Sequence, residues 1–174
     1  MFQSKLKDPV VGRATLVVDS PPDAVFEYIG PNFFTNYPKW SPEVVELEQL
    51  SDGPMQLGTL ARQVRVDQRR RLESRFQVTT YEPDRCLRFA GVPDPFVCTF
   101  ELERTGAADR TSLSFIFEGF ELRGYMKPFE KLIRVVVQDG AVRTVRNLKR
   151  LIERQRRARP PLGAVPPRAV GGGR

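Results

Sequence analysis

Chemistry in this chain has to come from arginine, from hydroxyl groups and from two cysteines, because its 174 residues contain no histidine. Ser-His-Asp and Cys-His nucleophile systems are thereby excluded, as are HExxH and other histidine-ligated metal sites. Cys86 and Cys98 are too few for a four-thiolate site, and on expected strands of a chain without an export signal they read as reduced core thiols rather than a disulfide. No metal is expected. With neither a GxxxxGK[ST] loop nor a GxGxxG turn, no nucleotide or other cofactor is expected either. Among the polar residues that remain, Arg62 shares its parity with Leu60, Val64 and Val66 and is expected to face inward. There it needs a carboxylate or an anionic ligand, since an unpaired interior charge costs several kcal/mol. Ser74, Thr80 and Tyr125 offer hydroxyls to a bound molecule.

The elements that must position these groups are a sheet and a long helix. Arg13 to Asp19 alternates as a first strand, and Ser20-Pro21-Pro22-Asp23 reads as a helix start, with Ser20 as cap and a carboxylate in the first turn. Val25, Phe26 and Ile29 form the buried face of that short helix, which Gly30-Pro31 ends, and a second helical turn is expected over Phe33 to Tyr37. Strands follow at Glu43 to Leu50, Thr59 to Asp67, Arg71 to Tyr81, Cys86 to Gly91, Phe96 to Arg104 and Thr111 to Leu122. Leu87, Phe89, Phe96, Cys98, Phe100, Leu102, Leu113, Phe115 and Phe117 fall on one face and mostly charged or hydroxylated residues on the other, so the sheet is covered on one side.

The remainder reads as one helix with an apolar stripe of Met126, Phe129, Ile133, Val136, Val137, Ala141, Leu148, Leu151 and Ile152. Laid on the sheet, it leaves room for a pocket lined by Phe76, Val78, Phe89, Phe100, Phe115 and Phe117 from strands and by Phe129, Ile133 and Val136 from the helix. Twelve phenylalanines suit a flat or isoprenoid-like apolar molecule. Gly140, inside the helix, costs ~1 kcal/mol relative to alanine, which room for a ligand, a kink or a cap splitting the helix would explain.

Charge is unevenly spread. From Arg123 onward 14 Lys or Arg face 3 Asp or Glu, a balance of +11, whereas the residues before it carry 14 against 18, a balance of −4. A basic helix of this kind either solvates itself or meets nucleic acid or an anionic membrane surface. Residues 158–174 are rich in proline, glycine and arginine and read as a disordered tail after a single domain at 1–157. No run approaches the ~20 apolar residues of a membrane span, and MFQSKLKDPVVG lacks the features of a signal peptide, so a cytoplasmic location is expected.

The segments ATLVVDSPPDAVFEYI, NYPKWSPEVVELE, GPMQLGT and KPFEKLIRVVVQDGAVRTVRNLKRLIE, in this order, resemble the START/Bet v 1-like (SRPBCC) superfamily and within it the polyketide cyclase/dehydrase-like branch. The likeness runs from Arg13 to Glu153 and rests on the helix start after the first strand, on Trp40 followed by Pro42, and on Gly58-Thr59. It implies an α+β helix-grip fold, a curved antiparallel sheet of about seven strands wrapped around a long C-terminal helix, with two short helices after the first strand. It also places Trp40 at the pocket entrance, where it either covers a ligand or plugs the gap between the short helices and the sheet. Superfamily members include lipid carriers, quinone-binding proteins and cyclases, and no shared catalytic signature carries over to numbered positions. The expected function is binding of a small hydrophobic, cyclic, lipid-like or polyprenyl molecule. A cofactor-independent cyclase/aromatase using the same cavity is the alternative, and a basic-helix partner for nucleic acid or a membrane surface is a third reading. Nucleic acid is disfavoured, because the basic residues are not interleaved with exposed aromatics.

Overall fold

The computed structural model describes residues 8–67, 69–106 and 109–158. Seven strands form one antiparallel sheet: β1 (Pro9–Val18), β2 (Val44–Gln49), β3 (Leu60–Asp67), β4 (Arg70–Glu82), β5 (Cys86–Gly91), β6 (Val97–Arg104) and β7 (Thr111–Glu121), in the spatial order β1-β7-β6-β5-β4-β3-β2. Two short helices, α1 (Pro22–Ile29) and α2 (Phe33–Trp40), carry the chain from one edge strand to the other. After β7 a 3-10 segment (Gly124–Phe129) leads into α3 (Glu130–Ala158), which returns beside β1. The expected tail from residue 159 onward lies outside the described residues.

Register fixes the two faces. Ala61 lies opposite Phe76, Val78 opposite Phe89, Phe89 opposite Cys98, Phe100 opposite Phe115 and Leu113 opposite Leu16, so these side chains share the concave face. The convex face carries polar pairs such as Thr15 Oγ1 with Ser114 Oγ at 2.7 Å and Arg13 with Glu101 at 3.3 Å. Cys86 belongs to the convex parity and Cys98 to the concave, and both are free.

Local chemistry departs from expectation at the two short helices. Pro21, in extended conformation, takes the cap position of α1, and no side chain caps the helix. Ser20 is buried, and its carbonyl accepts a hydrogen bond from Thr111 Oγ1 at 2.7 Å. The second helix runs through Pro38 to Trp40, three residues beyond the expected end at Tyr37. Proline removes one helical hydrogen bond, but Phe33, Tyr37 and Trp40 bury a common face and hold the last turn in place.

α3 is unbroken across Gly140, so no cap splits the helix there. Its buried residues are Ala141, Val145, Leu148 and Ile152, all from Ala141 onward. One flank of the helix satisfies the free edge of β1. Gln138 accepts from the Arg13 amide (3.0 Å) and donates to its carbonyl (2.7 Å), while Glu153 accepts from the Asp19 amide (2.9 Å). Arg134, Lys149 and Arg156 donate to the carbonyls of Pro9, Val17 and Asp19. Part of the basic character of α3 therefore hides an edge that would otherwise invite another strand. Gly12 permits the approach, since a Cβ there would lie 2.6 Å from the Val137 carbonyl oxygen.

Candidate functional site

The concave face is filled at one end and open at the other. At the filled end, Trp40, Phe76, Val78, Phe89, Phe100 and Phe115 are all buried, packed around Phe33 of α2. The Phe33 ring lies 5.6 Å from Phe89, 5.8 Å from Trp40 and 5.9 Å from Phe76, and Phe76 and Phe89 are 4.6 Å apart. These edge-on and tilted contacts close the interior without a ligand. Of its two expected roles Trp40 has the packing of the plug: it is buried, and its carbonyl accepts from Asn147 Nδ2 of α3 at 3.0 Å, which ties α2 to the helix.

At the open end stand Phe117, Ile133, Val136 and Phe129. Phe117 and Ile133 are half-buried, whereas Phe129 and Val136 are 60% and 59% exposed. Ile133, Val136 and Gly140 lie fourteen, eleven and seven residues before Asn147, each close to a whole number of helical turns. They therefore share the face of α3 that Asn147 turns toward α2, and Phe129 ends the 3-10 segment just before the helix. A Cβ on Gly140 would meet nothing within 4 Å, so the helix surface is open at that point. The expected pocket among the phenylalanines is thus replaced by a packed inner half and an open end, the trough, where Phe129 and Val136 are exposed and Phe117 and Ile133 half-buried. Two surface depressions, of about 210 and 360 Å³, lie elsewhere, one between α1 and the end of α3 and one on the convex face. Tyr125, 72% exposed on the 3-10 segment, is not drawn into the trough.

The inward arginine is Arg65, and the expectation for Arg62 is corrected. Ala61, Gln63 and Arg65 have the concave parity, because Ala61 faces Phe76 across the ladder. Arg62 projects from the convex face, bonded to Glu73 at 2.8 Å and Glu46 at 3.2 Å, with Arg71 also on Glu46. Glu73 first, then Glu46, holds the Arg62 guanidinium above its ordinary pKa. Apolar residues occur on both parities of β3, and the inward set is itself polar, so hydrophobic alternation selected the wrong face.

Arg65 donates to Glu43 Oε1 at 2.9 Å and to the Tyr37 hydroxyl at 3.2 Å. Burial works against its charge, but the adjoining Tyr37 and Glu43 leave its pKa raised. Burial likewise pushes the Tyr37 phenol well above its ordinary range, only partly offset by Arg65, and pushes the Cys98 thiol up to about 12. Next to Arg65 on the strand, Gln63 is 3% exposed; its Nε2 donates to Ser74 Oγ at 3.1 Å, and its Oε1 has no partner. Ser74, named from the sequence as a hydroxyl donor, thus does sit on the concave side. Thr80 remains half-buried, one residue past a register shift in β4.

A family model described as polyketide cyclase/dehydrase and lipid transport matches residues 10–153. The chain belongs to this family. Solved structures share its fold: the Zhui aromatase/cyclase from Streptomyces sp. R1128 (18% identity, TM-score 0.65, 85% of this chain and 96% of that one) and TTHA0849 from Thermus thermophilus (16%, 0.65, 83% and 98%). Norcoclaurine synthase from Thalictrum flavum, solved with dopamine and hydroxybenzaldehyde, matches at 16% identity with a TM-score of 0.63, over 83% of this chain and 86% of that one. These likenesses establish the helix-grip architecture for this member of the family. No curated protein matches in sequence. No helix among the described residues is long and apolar enough to cross a membrane.

Proposed function

We propose that this chain binds a small hydrophobic molecule, cyclic or polyprenyl in character, in the trough between the concave sheet and the first half of α3. The observation that carries the reading is the exposure of Phe129 and Val136 beside the half-buried Phe117 and Ile133, in a domain whose other half is tightly packed. Exposed apolar surface of this kind gains about 25 cal/mol per Å² when a ligand covers it. Gln63 Oε1 and the Arg65–Tyr37–Glu43 cluster supply polar contacts for one end of such a molecule.

Cyclisation of a reactive chain is the second reading, and the Arg65–Tyr37 pair favours it: a guanidinium beside a phenol is suited to stabilising an enolate. Binding is the stronger conclusion because a general base works best with a pKa near the operating pH. Burial keeps the Tyr37 and Cys98 protons in place at neutral pH, so neither group serves as that base.

Native mass spectrometry of the purified full chain tests the reading by the mass of a co-purifying molecule. Val136→Arg should remove that mass, and lower the affinity of an added naphthalene-sulfonate dye about tenfold or more, with the thermal midpoint unchanged because the site is exposed. Dye binding unaltered by Val136→Arg and by Phe129→Ser would sink the trough as the ligand site.

A further inference from the structure

We propose that the outward face of α3 docks on an anionic lipid bilayer. Arg143, Arg146, Arg150, Arg154 and Arg157 recur at steps of three, four, four and three, which puts them in one stripe along the helix. All five are exposed. Arg134, Lys149 and Arg156 are engaged on β1 carbonyls, but the stripe is not: Arg143, Arg146, Arg154 and Arg157 have no carboxylate partner among the described residues, and Arg150 bonds only to Asn147 Oδ1 at 3.3 Å.

The same face changes character toward the start of the helix. Leu132 and Val135 lie eleven residues before Arg143 and Arg146, three whole turns away, and are 62% and 53% exposed. Tyr125 lies exposed in the 3-10 segment that leads into the helix, with Lys127 and Lys131 exposed beside it. Asp139 is the one acid in the stripe. An arginine row alone fits the phosphates of a nucleic acid or of a membrane. Adjoining exposed aliphatic side chains distinguish the two, because a duplex gives them nothing to bury against, whereas a bilayer takes them below the headgroups while the arginines meet lipid phosphates. The stripe also lacks the interleaved aromatics on which single-stranded bases stack.

Sedimentation of the full chain with phosphatidylcholine vesicles, with and without phosphatidylglycerol, tests it. Binding should require the anionic lipid and weaken with added salt. Each basic residue near an anionic surface contributes roughly fivefold in partitioning, so the triple change Arg143→Glu, Arg146→Glu, Arg150→Glu should lower it by roughly a hundredfold or more. Leu132→Ser with Val135→Ser should weaken vesicle binding at constant charge. All five positions are exposed, so the thermal midpoint of each variant serves as the control for folding. Failure to sediment with anionic vesicles overturns the proposal. So does tighter binding to duplex DNA than to vesicles, unchanged by the Leu132 and Val135 substitutions, which would assign the stripe to nucleic acid instead.

Discussion

Burial keeps the Cys98 thiol protonated up to about pH 12, against an ordinary value of 9.0, and shifts the half-buried Cys86 thiol and the Tyr37 phenol in the same direction. In the unfolded chain the same thiols ionise near pH 9. Between these limits the folded form binds more protons than the unfolded one, so stability is fully present below pH 9 and falls as pH rises toward 12. The decline should approach about 1 kcal/mol per pH unit, read as a falling urea midpoint from about pH 8 to 11, and Cys98→Ala should flatten its lower part. An identical slope in that variant would mean that Cys98 is not the buried group responsible. Arg65→Met leaves Glu43 and the Tyr37 hydroxyl without their shared donor and should cost about 1–3 kcal/mol. Arg62→Met, on the opposite face, should leave the midpoint nearly unchanged, and denaturant titration of the pair checks that contrast. Strand parity is the whole difference between these two arginines. The sequence could not supply it, because Leu60, Val64 and Val66 mark one face as apolar while Ala61, Gln63 and Arg65 occupy the one that is buried against α2.

At the scale of elements, the strand alternation from β4 to β7 and the long helix were legible, since each carries its period in side chains that end up buried. The relation between helix and sheet was not. A stripe running from Phe129 to Ile152 says which residues share a face, but not where the surface beneath them stops. Here full burial ends at Ala141, and before it Phe129, Leu132, Val135 and Val136 are exposed. The hold of α3 on β1 was equally hidden, because it uses polar side chains on backbone groups and leaves no hydrophobic pattern. Gly12→Ala tests that hold: a Cβ 2.6 Å from the Val137 carbonyl oxygen forces the helix off the strand, at a cost of about 1–3 kcal/mol measured by thermal or denaturant unfolding. Leu148→Asp should be far more damaging. It buries a carboxylate at a fully enclosed position, a penalty of several kcal/mol against the ~5–15 kcal/mol that holds a domain together, and circular dichroism should find it unfolded.

For the whole molecule, the consequence is a domain of unequal halves. One end is closed by α1, α2 and the second half of α3 around the Phe33 cluster, with Ala141, Val145, Leu148 and Ile152 anchoring the helix. The other end holds the first half of α3 by Arg134 and Gln138 on the β1 backbone and by the Gly12–Val137 approach, with its largest apolar side chains in water. Local opening is governed by how much apolar area an element buries, so the two halves of one continuous helix should open at different free energies. Native-state hydrogen exchange should find amides from Leu132 to Asp139 exchanging at least about tenfold faster than those from Val145 to Ile152, although both stretches are equally helical. A ligand seated in the trough buries Phe129, Ile133 and Val136 and should slow the first stretch selectively, while vesicle docking protects Leu132 and Val135 without requiring a ligand. Uniform protection along α3 in the unliganded chain would mean that the first half is packed as firmly as the second, and the trough would then be no place for a molecule to enter.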